Sequence, residues 1–387
     1  MTDYLPPTDE LAVGDLVVDR PHRALVERRL ADLWLAVTEV HDSPALGLVR
    51  LVLRDTQRFA HANGADSAPG AAIQAVLGAL RSWCAEQFGG WIPELEGNAT
   101  VTGIVGYPHT KPMSAYGLSP TTREPFEIRA SGRGAGVKVA VLDTAFHAHP
   151  DLAGHCTAAD RDTLPRGGST PVAAWNGHAT FVAGIVARAA PGCEIVVHKV
   201  LRDDGRSTVW DTAHALAAVA GQGYDVVNLS LGCRVGGPTG PLALRRAVTA
   251  HTGGAVLVAA AGNHGEIKPA ENRRLPVWPA AFPGVTAVGA TLPGGEIAPI
   301  TPKLPWVDLV APGVDVGSTF LEGEVMTDER TISTFEGYAT WSGTSFAAAR
   351  VTGALAALTV PDRTTSREAL AAVGEADAVP YVWPAGA

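Results

Sequence analysis

The sequence predicts an α/β protein: a mostly parallel sheet with helices on both faces, preceded by a small N-terminal α+β domain. Three observations predict it. Beyond residue 130, near-continuous apolar, β-branched runs alternate with helical patterns, as strands buried on both faces of a parallel sheet do. Before that point the patterns are shorter and mixed. And 387 residues favour two domains over one or three.

In the N-terminal part, Leu16–Val18, Trp34–Val40 and Leu46–Leu53 read as strands. Ala71–Phe88 carries Ile73, Val76, Leu77, Leu80 and Trp83 at helical spacing after Pro69-Gly70, so it predicts a helix. Ala99–Val105 predicts a further strand, closing an α+β domain over residues 1–106. Tyr107–Gly136 lacks periodicity and is rich in turn residues, so residues 107–130 read as a linker or surface arm. From 131 to 387, the predicted strands are Val137–Leu142, Glu194–Val200, Asp225–Leu231, Ala255–Ala261, Val285–Ala290 and Val307–Val310. Ala179–Ala190, Thr208–Gln222, Leu242–His251 and Ser345–Leu358 are the predicted helices. The acidic run Glu322–Glu329 reads as a solvated loop.

Composition excludes several classes of function. Apolar residues at 46% and charged residues at 18% are wrong for a disordered chain. A net charge of −9 provides no phosphate-neutralising surface, so nucleic acid is not expected as a partner. The N-terminus has no basic segment followed by an apolar one, and no apolar stretch reaches membrane-spanning length. The four cysteines show no metal-ligand spacing and read as free thiols. The expectation is a soluble, cytoplasmic protein with no membrane partner.

In parallel sheets the ligands sit beyond the carboxyl ends of the strands, so the polar residues there are the candidates. Asp143 closes a buried strand, His178 opens an apolar helix, Asn263 follows a strand, and Ser345 heads another apolar helix. Singly, these are ordinarily a turn former, a core histidine, a turn residue and an N-cap. Together, an Asp, a His and a Ser stand in that chain order in one α/β domain. The order differs from those of chymotrypsin-like enzymes and α/β-hydrolases, and no GxSxG elbow is present. That disfavours a lipase or esterase. The flanking residues VAVLDT, HPDL, GHATFVAGIVA, VVNLSLG, AAAGN, WPAAFPGVTAVGA, VDLVAPG and SGTSFAA occur in the order of the subtilase family, which residues 131–375 resemble.

The resemblance implies a subtilisin-like fold and a serine endopeptidase acting on polypeptides. Ser345 is the implied nucleophile, His178 the base that takes its proton, and Asp143 the acceptor that fixes the imidazole. Asn263, with the backbone N–H of Ser345, is the implied oxyanion donor. Ser230, Leu231 and Gly232 would offer an edge to an extended peptide. Ala260, Ala261 and Gly262 would wall the pocket for the residue before the cut, which Val277, in place of a frequent Gly, would shorten toward small or medium uncharged side chains. No cofactor is expected. Calcium is frequent in the family, but its scattered ligands cannot be located from sequence. His147, His149, His155 and Cys156 cluster, yet His149 belongs to the family's HPDL stretch, so no metal is assigned to them.

Departures from the family pattern fall at Ala145, Ala179, Phe181 and Ala349, where it usually has Gly, Gly, His and Pro. They motivate the rival reading, a weak or inactive pseudo-protease that grips peptides. Retention of Asp143, His178, Asn263 and Ser345 weighs against it. The N-terminal domain is expected to pack on the catalytic domain and restrain it, with an unrelated scaffold role as the alternative.

Overall fold

Strands buried at every position have no face left for water, and three of them, Val226–Leu229, Val256–Ala260 and Val285–Thr291, lie side by side in the larger part of this protein. The computed structural model describes residues 11–65, 70–104, 117–123, 127–160, 171–234, 239–266, 273–327, 331–373 and 379–380. It divides into two compact units, Met1–Val101 with Thr208–Ala217 and Cys233–Ala250, and Thr102–Ser207 with Ala218–Gly232 and His251–Ala387.

In the first unit, β1 (Leu11–Asp19), β2 (Val37–Ser43), β3 (Leu48–Leu53) and β4 (Leu95–Gly103, to Val101 in this unit) form an antiparallel sheet in the order β4-β1-β3-β2. The helix Ala71–Gln87 buries Ile73, Val76, Leu77, Leu80 and Cys84, one apolar stripe, and packs on β1. The sequence pattern found this helix, but not Arg23–Asp32, which buries only Val26 and Leu30 and carries charges at Arg23, Glu27, Arg28, Arg29 and Asp32. Two residues make too narrow a stripe to announce a helix. The second strand starts at Val37 rather than Trp34, because Trp34 takes a left-handed turn at φ 60 and is exposed. The expected strand Ala99–Val105 begins earlier, at Leu95, and Val105 lies outside the described residues.

Two helices of the later chain belong to this unit, Leu242–Thr249 and most of Val209–Val219. Side chains from β4 and its approach satisfy their N-terminal donors. The Glu96 carboxylate accepts hydrogen bonds from the backbone N–H of Leu242 at 2.6 Å and Ala243 at 3.1 Å. Pro241 at the N-cap has no side-chain oxygen to offer, so Glu96 takes the capping role from a distant strand. Asn98 accepts from Trp210 N–H at 3.0 Å and donates to Asp15, which also receives Arg50.

In the second unit, β5 (Lys138–Asp143), β6 (Cys156–Ala158), β7 (Glu194–Lys199), β8 (Val226–Leu229), β9 (Leu231–Gly232), β10 (Val256–Ala260), β11 (Val285–Thr291), β12 (Leu309–Pro312), β13 (Val316–Met326), β14 (Ile332–Trp341) and β15 (Val379–Pro380) are the main strands. Eight form one sheet in the order β15-β12-β11-β10-β8-β5-β7-β6, parallel throughout except for β15. Helices His178–Ala189 and Thr344–Leu358 are buried along most of their length and pack on each other and on this sheet. The chain beyond Pro312 departs from expectation: β13 and β14 form a long antiparallel hairpin. Thus Glu322–Met326 of the acidic run lies in a strand, its glutamates exposed, and not in a loop; residues 328–330 lie outside the described residues. Alternating polarity there, Glu322, Glu324 against Leu321, Val325, is a strand signal that the charge run concealed. Of the segment 107–136, residues 107–116 and 124–126 lie outside the described residues, while Ser119–Pro120 pairs with β14. Among the described residues, no helix is long and apolar enough to cross a membrane.

Candidate active site

The parallel register of β5 against β7 and β8 brings Asp143 to the carboxyl edge of the sheet, where the backbone N–H groups of Val200 and Leu201 bond its carbonyl. Its carboxylate is fully buried and accepts the Thr144 N–H at 2.7 Å. His178 opens its helix immediately after Gly177, where any Cβ would overlap the Phe320 ring. The ring's Nδ1 lies 2.7 and 2.8 Å from the two oxygens of Asp143. A carboxylate only accepts, so Nδ1 carries the proton and Nε2 keeps its lone pair. Among the described residues Nε2 has no hydrogen-bond partner.

Around this pair lies an apolar shell that includes one of the departures from the family pattern, Phe181. Phe181, Phe320, Trp341 and Phe346 stack in mutual contact, with Trp341 edge-on to His178 at 5.7 Å and Phe346 at 5.6 Å. Ala179 donates its N–H to the Thr144 hydroxyl at 3.2 Å, and Ala145 and Ala349 are buried. The substituted positions are packed rather than vacant.

Ser345 is the second residue of the helix Thr344–Leu358. Thr344 holds Asn263 in place: the Asn263 amide oxygen accepts from Thr344 N–H at 2.9 Å and its hydroxyl at 3.0 Å. That fixes which end of the amide faces outward, and the buried Nδ2 has no partner among the described residues. The Ser345 hydroxyl does not bond His178 here. It donates to the backbone carbonyl of Ile104, with a longer contact to the Ser230 carbonyl at 3.4 Å.

Ile104 belongs to an extended segment of the chain itself. Gly103 and Thr102, the last residues of β4, pair antiparallel with Leu231 and Gly232 of β9, and Ile104 N–H donates to Ser230 O at 3.1 Å. Gly103 N–H donates to Gly205 O at 3.1 Å. The Ile104 carbonyl and Asn263 Nδ2 both approach Gly343, each 3.5 Å from where its Cβ would be. The structure thus sets a peptide carbonyl at the Ser345 hydroxyl, with the unpaired Asn263 amide donor beside the same Gly343.

The catalytic and substrate-binding candidates singled out from the sequence all belong to the second unit. Ser230, Leu231 and Gly232 form the edge that takes the strand; Val277 lies between Gly232 and Gly262, whose Cβ positions would be 2.7 and 2.9 Å from its methyls. Ala260 and Ala261 are buried at the end of β10, and Gly262 N–H donates to Thr344. Sequence reasoning missed Thr102–Ile104, whose contacts are backbone, and Trp175, whose ring faces Gly103. Trp175 stands two residues before Gly177-His178, and that nearness was the one available signal. In the histidine cluster, His149 is used structurally: Nδ1 accepts from Asp151 N–H and Nε2 donates to the Gly337 carbonyl. Burial pushes the His147 ring down to about 4, so it is neutral near pH 7. Among the described residues, no group of three or more His, Cys, Asp or Glu is placed to hold a metal ion.

Comparison with known proteins agrees with this geometry. The subtilase family (peptidase S8) model matches residues 134–375. Subtilisin BL of Lederbergia lenta is 36% identical over 233 residues, covering 58% of this chain and 76% of that protein. The thermophilic serine proteinase of Bacillus sp. strain AK1 is 37% identical over 240 residues, 58% of this chain and 52% of that protein, so the chain spans about half of its length. Among solved structures, fervidolysin from Fervidobacterium pennivorans shares the fold, with 23% identity, a TM-score of 0.59 and coverage of 90% of this chain and 55% of that one. The chain belongs to the subtilase family and is a subtilisin-like serine endopeptidase, which implies a polypeptide substrate.

Proposed function

We propose that Asp143, His178 and Ser345 are the catalytic triad of this peptidase, with Asn263 as an oxyanion donor. The reading is carried by one observation: the Ser345 hydroxyl contacts a peptide carbonyl that lies, like the unpaired Asn263 amide, against Gly343; the buried Asp143–His178 pair supports it. In the reaction, Ser345 Oγ adds to the carbonyl carbon while His178 Nε2 takes the hydroxyl proton. Asp143 accepts the Nδ1–H bond and stabilises the imidazolium. The oxygen that gains charge receives the Asn263 N–H, and its donor is already oriented by Thr344, so little reorganisation is needed. When the C–N bond breaks, the amine leaves with the proton from His178, and water then hydrolyses the acyl ester by the reverse roles.

The same reading assigns the N-terminal part of the chain a restraining role. Thr102–Ile104 fills the edge that an extended substrate would use, and its backbone bonds are those of an added strand. The peptide-binding pseudo-protease reading is not favoured, since the aromatic shell retains the oriented His178. Ser345→Ala tests the assignment: it removes one oxygen at a helix start and should leave the fold intact while lowering peptidase activity by about 10⁴-fold or more. Activity near wild type in a clean preparation of that variant would refute it.

A further inference from the structure

The segment in the cleft also shows what the cleft admits, if the peptidase reading above is accepted. Counting back from the Ile104 carbonyl at Ser345, Gly103 is the second residue before the bond that would be cut, and Thr102 the third. A Cβ on Gly103 would lie 2.5 Å from Trp175 Cζ3, 3.2 Å from Cε3 and 3.3 Å from Leu201 Cδ1. The first distance is far inside van der Waals contact, so an alanine there requires the wall to move.

That wall is not built to move. Trp175 is buried, and its other neighbours hold it: Gly205, at φ +72, brings its backbone so near that a Cβ would be 3.0 Å from the indole, and the His178 ring lies 6.0 Å away. Leu201 is fully buried and its N–H bonds the carbonyl of Asp143. Displacing either residue would disturb a neighbour of the Asp143–His178 pair. The position after it, the first before the cut, is different. The Ile104 side chain reaches toward Gly232, where a Cβ would lie 3.5 Å from its Cδ1, and Val277 closes the same space from the far side. This subsite is apolar and of limited depth.

We propose that the peptidase selects glycine at the second residue before the cut, that Trp175 and Leu201 are the specificity-determining residues, and that an aliphatic side chain such as isoleucine is accepted at the first. Its preferred substrates are thus extended segments of the form Gly followed by an aliphatic residue, with cleavage after the latter. The chain's own Thr102-Gly103-Ile104 has that form.

The test uses the full wild-type chain and a pair of internally quenched peptides that differ only in carrying Thr-Gly-Ile or Thr-Ala-Ile before the cut. Overpacking by one methyl against a rigid wall predicts a kcat/KM at least about tenfold higher for the glycine peptide. Trp175→Leu and, separately, Leu201→Ala should shrink that ratio toward one. A second readout comes from within the chain: Gly103→Ala should unseat the segment and raise the rate at which a fluorophosphonate labels Ser345 by about tenfold, and adding Trp175→Leu should lower it again. A protein that labels at Ser345 but cleaves both peptides equally well, or cleaves only others, overturns this inference and leaves the peptidase reading standing. One in which neither the wild type nor Gly103→Ala labels or cleaves overturns both. The peptide pair needs no variant, so a variant that fails to fold does not spoil the experiment.

Discussion

The two ends of β4 do their work by opposite means. Around Leu95–Asn98 the contacts are side-chain contacts: Glu96 and Asn98 bond the first N–H groups of two helices, and Glu94 meets Arg245 and Arg246. At Thr102–Ile104 the contacts are backbone contacts to Leu231, Gly232, Ser230 and Ser345, and the side chains matter only by fitting or colliding. Charged caps respond to pH, salt and single substitutions. Backbone pairing responds to none of these directly, and is governed by steric limits such as the Trp175 wall. One strand therefore carries a chemically adjustable hold at one end and a shape-limited one at the other.

The sharpest break in that comparison is at the cleft end, where Asn263→Ala should lower kcat by about 10²–10³ with a small change in KM, the range being that of the equivalent donor in subtilisin. Its amide oxygen also holds Thr344, so Asn263→Asp is the informative partner: it keeps that acceptor and removes the N–H donor. Equal loss in both variants places the effect in the donor. Loss in Ala alone would reduce Asn263 to a support for the helix start.

Much of the cleft end was legible from residue types, because a parallel sheet collects its functional groups at strand ends and the sequence marks those ends plainly. Asp143, His178, Asn263 and Ser345 each follow or precede an unbroken apolar run, and nothing else in those runs is polar enough to compete. Thr102-Gly103-Ile104 was not legible. It has no titratable group, and its pairing with Leu231–Gly232 joins residues far apart in sequence through atoms that all residues share. The Glu96 cap was hidden for a related reason: its partner is a helix 146 residues away, and a lone glutamate in a strand pattern reads as a solvent-facing side chain. Trp175 looked like one more apolar residue before a helix, and only the distance to Gly103 gives it a role.

At the other end, the next largest effect is the pH dependence set by Glu96. Burial raises its carboxyl to about 7, against the opposing pull of the Leu242 and Ala243 N–H groups and of Arg245 and Arg81. In the unfolded chain the group ionises near its ordinary value, so between those two values the folded protein holds a proton that the unfolded one has lost. Stability contributed by this site is then fully present at low pH and falls as pH rises to about 7, by on the order of 1–3 kcal/mol. Urea denaturation of the full chain from pH 5 to 8 measures the slope, and Glu96→Gln should flatten it. Stability that instead rises with pH across this window, in a way that Glu96→Gln abolishes, would show that the ionised cap outweighs its burial. Glu96→Ala strips both N–H groups of their acceptor and should cost about 1–2 kcal/mol at any pH in the range.

The smallest expected effect lies one turn of argument away, at Glu94. Its carboxylate accepts from Arg245 at 2.6 Å and from Arg246, so the picture is of a double ion pair close beside the Glu96 cap. Yet the three side chains are each about two-fifths exposed, at 43%, 38% and 43%. Water and salt screen such pairs, and holding three long side chains in one arrangement costs entropy, so Glu94→Gln should change stability by less than about 1 kcal/mol. What it leaves should vanish in 1 M salt, where the screening length is about 3 Å. The half-buried Glu96 cap, whose acceptor role does not depend on an exposed ion pair, should keep its effect under the same conditions. If Glu94→Gln instead costs as much as Glu96→Ala, and does so at high salt, then the hold at this end of β4 is ionic rather than a matter of capping, and the contrast between exposed pair and half-buried cap fails.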